Sequence, residues 1–162
     1  IKRLLQDGEH VVFKNTSADL KIISYSSGKS EGICFGGNLS VLAGMLCSQY
    51  LPNWRNKILF LEDVGEEPYR IDRMLTQLKL AGVFDQISGL VLGNFRNCTP
   101  EDPSRSFTLE EVFEQHFSTA KFPVFYGAQI GHIRNKFTIP VGIHVRMDAD
   151  LGTIELLESG VE

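Results

Sequence analysis

No apolar run in this sequence approaches the roughly 20 residues that a membrane-spanning helix requires. Its opening stretch, IKRLLQDGEHVVF, lacks the apolar core of a signal peptide. Together these give no reason to expect a membrane partner. Positive charge is also scarce, with a net charge of −4 at pH 7. The only tight basic spots are Lys2–Arg3 and the Arg134/Lys136 pair, so no nucleic-acid partner is expected. Cysteine is limited to Cys34, Cys47 and Cys98, odd in number, widely spaced and without a CxxC pair. That pattern fits a reducing compartment better than a disulfide framework or a zinc site. The phosphate-loop spacing GxxxxGK and the dinucleotide spacing GxGxxG are both missing. HxxxH and HxH are missing too, so neither a cofactor nor a metal is expected. No GxSxG elbow or GxSD-like turn is present, and Ser24, Ser26, Ser27 and Ser40 sit on no glycine-flanked strand-to-helix elbow.

What remains is a chain of 162 residues, 43% hydrophobic and 22% charged, which is the composition of one globular domain with a real core. Residues 1–30 read as a leading segment. Val11–Phe13 and Ile22–Ile23 are short strand candidates, and SYSSGKS (24–30) reads as a loop or linker. Gly32–Phe35 is a short apolar run closed by Gly36–Gly37. Asn38 then caps a helix carrying Leu39, Leu42, Ala43 and Leu46 at helical spacing. The two glycines allow a tight turn with close helix–strand packing. Alternatively, free N–H groups at the helix start face a cleft and meet an anion.

Lys57–Leu61 reads as a buried strand running into Glu62. Pro68 opens a helix with an apolar stripe of Ile71, Met74, Leu75, Leu78 and Leu80, ended by Gly82. Gly89–Gly93 is a second buried strand, ending at Asn94. Thr108 and Glu111 have capping-box spacing ahead of Leu109, Val112, Phe113 and Phe117. Pro123–Tyr126 is a third strand and leads into GAQIGH. Phe137–Gly142 and Ile143–Met147 read as extended, the latter pairing with 152–157 around a turn at 148–152. Strand–helix units first and a β hairpin last predict an α/β fold, with a mostly parallel central sheet and an antiparallel C-terminal hairpin.

Three apolar runs lead to polar residues: Glu62, Asn94 and His132. Positions beyond the carboxyl ends of parallel strands line the crevice where ligands bind. A carboxylate beside an imidazole there could orient and charge-stabilise a general base. Spacing alone leaves Glu62 open between catalyst, turn cap and metal ligand with Asp63 and His132. Asp63, Glu66 and Glu67 also read as a solvated acidic turn with Arg70 and Arg73 as helix partners. His10, His116 and His144 read as surface or sheet residues.

GICFGGNLSVLAGML, ILFLEDVGEEPYRIDRMLTQLKLAGVF, GLVLGNF and FPVFYGAQIGHIRNKFTIPVG, in this order, resemble the LD-carboxypeptidase family across about Glu31 to Met147. This family of serine peptidases includes the muramoyl-tetrapeptide carboxypeptidases and the microcin C self-immunity peptidases. The resemblance implies a two-domain enzyme whose N-terminal domain carries the serine nucleophile. A C-terminal domain of the swivelling β/β/α kind carries the glutamate and histidine. On that basis Glu62 takes the place of the triad glutamate and His132 that of the triad histidine. Residues 31–162 correspond to the C-terminal domain, and residues 1–30 to a leading segment from an N-terminal domain that this sequence lacks. The sequence does not begin with Met, and a piece of a longer protein is expected.

The implied activity is hydrolysis of an L,D peptide bond, releasing terminal D-alanine from cytoplasmic muropeptides. The implied partners are the muropeptide substrate and the missing N-terminal domain. The piece alone is expected to be inactive. Its uncovered interdomain face is expected to leave an apolar patch that drives self-association, as a homodimer. The alternatives are a microcin C immunity-type peptidase domain and a non-catalytic module binding a wall peptide.

Overall fold

The computed structural model describes residues 11–16 and 21–160. The readings at Lys2–Arg3 and His10 lie outside the described residues. Eight strands form one sheet: β1 (Val12–Phe13), β2 (Ile23–Ser26), β3 (Lys29–Asn38), β4 (Lys57–Val64), β5 (Gly89–Arg96), β6 (Val124–Tyr126), β7 (His144–Asp148) and β8 (Thr153–Leu156). The helices among the described residues are α1 (Leu39–Gly44), α2 (Pro68–Leu80) and α3 (Leu109–Phe117). The sheet order is β1-β8-β7-β3-β4-β5-β6-β2. The four central strands, β3 to β6, are parallel; β7, β8, β1 and β2 extend them antiparallel. The expected α/β architecture and the C-terminal hairpin are both present.

The central strands are apolar on both faces because both faces are covered. Alternation along β4 decides which residue goes where. Leu59 and Leu61, with Leu90 and Leu92 of β5, pack under the three helices against Ile71, Leu75, Leu78, Phe113 and Phe117. Ile58 and Phe60, with Val91 of β5, face the opposite way into a second core with Phe125, Val145 and Met147. Among the described residues no helix covers that second face. The coil that follows β6 lies there, contributing Ala128, Ile130, Phe137 and Ile139.

The stretch 24–30, expected to be a loop, is instead strand, two-residue link and strand. It is polar because β2 is an edge strand, hydrogen-bonded among the described strands only to β6. The brevity of the link has a consequence. In a flat sheet β2 and β3 would stand about four strand spacings, or roughly 19 Å, apart. Three Cα steps reach only about 11 Å, so the sheet must curl.

Helix punctuation follows the sequence. Asn38 Oδ1 accepts the Val41 N–H at the start of α1. Thr108 and Glu111 form the expected capping box on α3. Gly82, at φ +71°, closes α2, with Gly82 N–H donating to Lys79 O and Val83 N–H to Leu78 O. Two further expectations fail. Leu80 does not join the stripe of α2 but is exposed in its last turn. Phe137–Gly142 forms no strand; its side chains cover the second core while its backbone bonds irregularly, as in Gly142 N–H to Cys34 O.

Candidate active site

Glu62 lies within β4, two residues before its end, and alternation turns it to the coil-covered face together with Phe60. Its neighbour on β5 is irregular. Leu61 pairs with Leu92, but the next pair is Asp63 with Phe95, so Gly93 and Asn94 together oppose Glu62. This bulge frees the Asn94 N–H from the ladder, and it donates to Ile130 O at 2.7 Å. Gly93 permits the close approach, since a Cβ there would stand 2.6 Å from Ile130 O. The coil is thereby drawn over Glu62.

Gly131 comes next, at φ +121°. A Cβ on it would meet Glu62 Oε2 at 2.8 Å and Asn94 O at 3.0 Å, so only glycine passes here. Ile133 N–H donates back to Gly131 O at 2.9 Å, which turns the chain sharply at His132. Arg96 Nη1 donates to His132 O at 3.1 Å. The imidazole then lies with Nδ1 at 2.7 Å from Glu62 Oε2. Glu62 is 8% exposed and His132 is 54% exposed. The carboxylate is therefore held inside, while the ring presents its outer edge to the surface. Glu62 and His132, the two residues singled out in the sequence, are in direct contact.

Two buried polar residues that sequence reasoning did not single out for this purpose hold the surroundings. Asp63 points to the other face of β4. Its Oδ1 accepts from Asn38 Nδ2 and Val64 N–H, and its Oδ2 accepts from Ser40 N–H and Ser40 Oγ at 2.6 Å. This corrects two readings. The N–H groups of Ser40 and Val41 at the start of α1 are not free for an anion, because Asp63 and Asn38 take them. Asp63 also cannot join Glu62 and His132 around a metal, and among the described residues no cluster of three or more potential ligands exists.

Gln129 is 2% exposed. Its Oε1 accepts from Thr16 N–H, its own N–H donates to Asn15 Oδ1, and its carbonyl accepts the Phe137 N–H at 2.7 Å. It thus clamps both ends of the loop that carries His132. An amide between the two glycines of GAQIGH was the available signal. Asn94 acts through its backbone. His116 is not part of the site: it joins α3 to α2 through Asp72 Oδ1 at 2.7 Å. His144 is exposed on β7.

Glu62 and His132 open into a shallow depression of about 240 Å3, walled by Gly37, Phe60, Phe137 and Ile139, with Lys136 at its rim. An ionised carboxylate has no proton to give, so at 2.7 Å it accepts Nδ1–H and leaves the Nε2 lone pair outward. Such an imidazole can take a proton from a nucleophile, and the carboxylate stabilises the imidazolium that results.

The model of the LD-carboxypeptidase C-terminal domain matches residues 31–147. Over 160 residues the chain is 36% identical to a probable murein peptide carboxypeptidase of Bacillus subtilis (strain 168), covering 99% of this chain and 49% of that protein. It is 34% identical over 137 residues to the microcin C7 self-immunity protein MccF of Escherichia coli, covering 83% of this chain and 39% of that protein. The crystal structure of muramoyltetrapeptide carboxypeptidase from Oxalobacter formigenes matches with a TM-score of 0.80 at 29% identity, over 96% of this chain and 52% of that one. The chain thus spans about half the length of those two carboxypeptidases. It belongs to the LD-carboxypeptidase family, and residues 31–147 correspond to that family's C-terminal domain.

Proposed function

We propose that this chain supplies the histidine and glutamate of a Ser-His-Glu triad in a serine LD-carboxypeptidase. The reaction is hydrolysis of an L,D peptide bond, with release of terminal D-alanine from cytoplasmic murein peptides. The observation that carries this reading is the 2.7 Å contact between Glu62 Oε2 and His132 Nδ1, with the outer edge of the ring left open. Among the described residues no serine lines the depression. The nucleophile comes from an N-terminal domain that closes over this face. His132 Nε2 takes the serine proton as the oxygen attacks the scissile carbonyl, then returns it to the departing amine. Water attacks the acyl-enzyme by the same proton route in reverse. Glu62 fixes the tautomer throughout.

The test joins this chain to the N-terminal half of the Bacillus subtilis relative and follows D-alanine release from a murein tetrapeptide. The chain alone is expected to release none. In the joined enzyme His132→Ala should lower kcat by about 10⁴-fold, and Glu62→Gln by less because part of the orientation survives. Nitrogen NMR of the isolated chain should show the imidazole as the Nδ1–H tautomer. An Nε2–H tautomer, or equal losses in the two variants, contradicts the role given to Glu62.

A further inference from the structure

The depression beside His132 holds one charged group that the triad does not use. Glu62 is engaged by His132. The nearby Arg96 guanidinium is engaged by the His132 carbonyl. Lys136 lines the same depression, is exposed, and makes no ion pair or hydrogen bond among the described residues. Its backbone is nevertheless fixed. The next residue, Phe137, donates its N–H to Gln129 O at 2.7 Å and packs its ring on Phe13 at 5.2 Å between centroids. The remaining walls, Phe60, Phe137 and Ile139, are apolar. A volume of about 240 Å3 is below the roughly 300–1,000 Å3 of a pocket for a drug-sized ligand. The site suits one small apolar residue bearing a single negative charge.

We propose that Lys136 is the specificity group for the substrate's terminal carboxylate, with its Nζ pairing the α-carboxylate of the residue that leaves. This rests on the carboxypeptidase reading above. The geometry of a C-terminal residue supports it. The leaving nitrogen and the carboxylate carbon are two bonds apart, about 2.5 Å. The general acid must come within about 3 Å of that nitrogen. The carboxylate therefore lies within one small residue's length of His132 Nε2. Lys136 is four residues further along the same clamped loop and borders the same depression. A cation there selects for a free terminus, because an amide or an extended chain offers it no charge to pair with.

Two experiments test this. In the joined enzyme, a peptide ending in free D-alanine is compared with the same peptide ending in its amide. Lys136→Met should cut kcat/KM for the free acid about 10- to 100-fold, mainly through KM, and collapse the preference over the amide. Lys136→Arg should retain the preference, and Lys136→Glu should invert it. An unaltered preference in Lys136→Met overturns the proposal. The second experiment needs no turnover. N-acetyl-D-alanine and N-acetyl-D-alaninamide are titrated into the 162-residue chain while the lysine side-chain and His132 ring resonances are followed. The acid alone should shift both, and Lys136→Met should abolish the response. Equal responses to acid and amide overturn the carboxylate assignment. If the joined enzyme lacks peptidase activity, the triad reading fails and the titration still decides the role of Lys136.

Discussion

Gly131 is the residue on which the site's geometry most directly depends. Its backbone, at φ +121°, runs against the carboxylate of Glu62. Gly131→Ala adds a methyl group 2.8 Å from Glu62 Oε2 in a conformation that L residues rarely adopt. The coil, the carboxylate or both must then move. We expect a loss of about 1–3 kcal/mol in stability from the strain alone. A urea titration measures this, and the His132 ring resonances should show the contact with Glu62 broken. A variant with unchanged stability and an unchanged imidazole tautomer would show that the loop accommodates the methyl group freely. Asp63 stands beside Glu62 in sequence but does different work. It ties β4 to the start of α1 through Asn38 and Ser40. A one-residue step along a strand separates these roles, since successive side chains face opposite sides of the sheet.

Among the elements, α3 carries the clearest sequence signal and a pH dependence. The Glu111 carboxyl is held below its usual 4.5, first by the Thr108 backbone N–H and then by the Thr108 hydroxyl. It therefore ionises more readily in the folded state than in the unfolded state. The capping box contributes fully above the usual value and fades as the pH falls through the lowered one. Thr108→Ala should cost about 1 kcal/mol at neutral pH. The gap between wild type and variant should narrow as the pH drops below 4.5 in parallel urea titrations. The backbone N–H at position 108 survives in this variant, so a gap that stays constant with pH would detach the Thr108 hydroxyl from Glu111.

The elements that could be read from sequence share this local character. Thr108 with Glu111, Asn38 before Leu39 and Gly82 after α2 each act within a few residues. So do the apolar runs of β4 and β5. The elements that could not be read depend on distant chain. The polar β2 is a strand only because β6 offers it an edge. Phe137–Gly142 alternates like a strand but has a curled sheet to cover, and Pro140 has no N–H for a ladder. At the site, Glu62 and His132 were legible through their motifs. The bulge at Gly93–Asn94 and the clamp at Gln129 were not, because their partners Ile130, Thr16 and Asn15 are set by the tertiary fold.

At the scale of the molecule, four of the nine exposed large hydrophobic side chains among the described residues follow the carboxyl ends of the parallel strands. They are Val41 in α1, Val64 at the end of β4, Tyr69 in the first turn of α2 and Phe107 just before α3. Tyr69 is 51% exposed and Phe107 is 64% exposed. Tyr69 follows the end of β4 and Phe107 follows the end of β5, and the two line one depression beside α2 and α3. Neighbouring exposed apolar side chains such as Tyr69 and Phe107 favour association, because covering them removes apolar surface from water. Sedimentation velocity of the chain at rising concentration should show a shift from monomer toward dimer. Replacing Tyr69 and Phe107 together by serine should reduce that shift without lowering the urea midpoint, since both side chains lie largely outside the cores. The N-terminal half of the Bacillus subtilis relative, added in excess, should suppress the dimer by covering the same side chains. Two outcomes oppose this assignment of the two side chains: a chain that stays monomeric at high concentration, and a dimer indifferent to the double substitution.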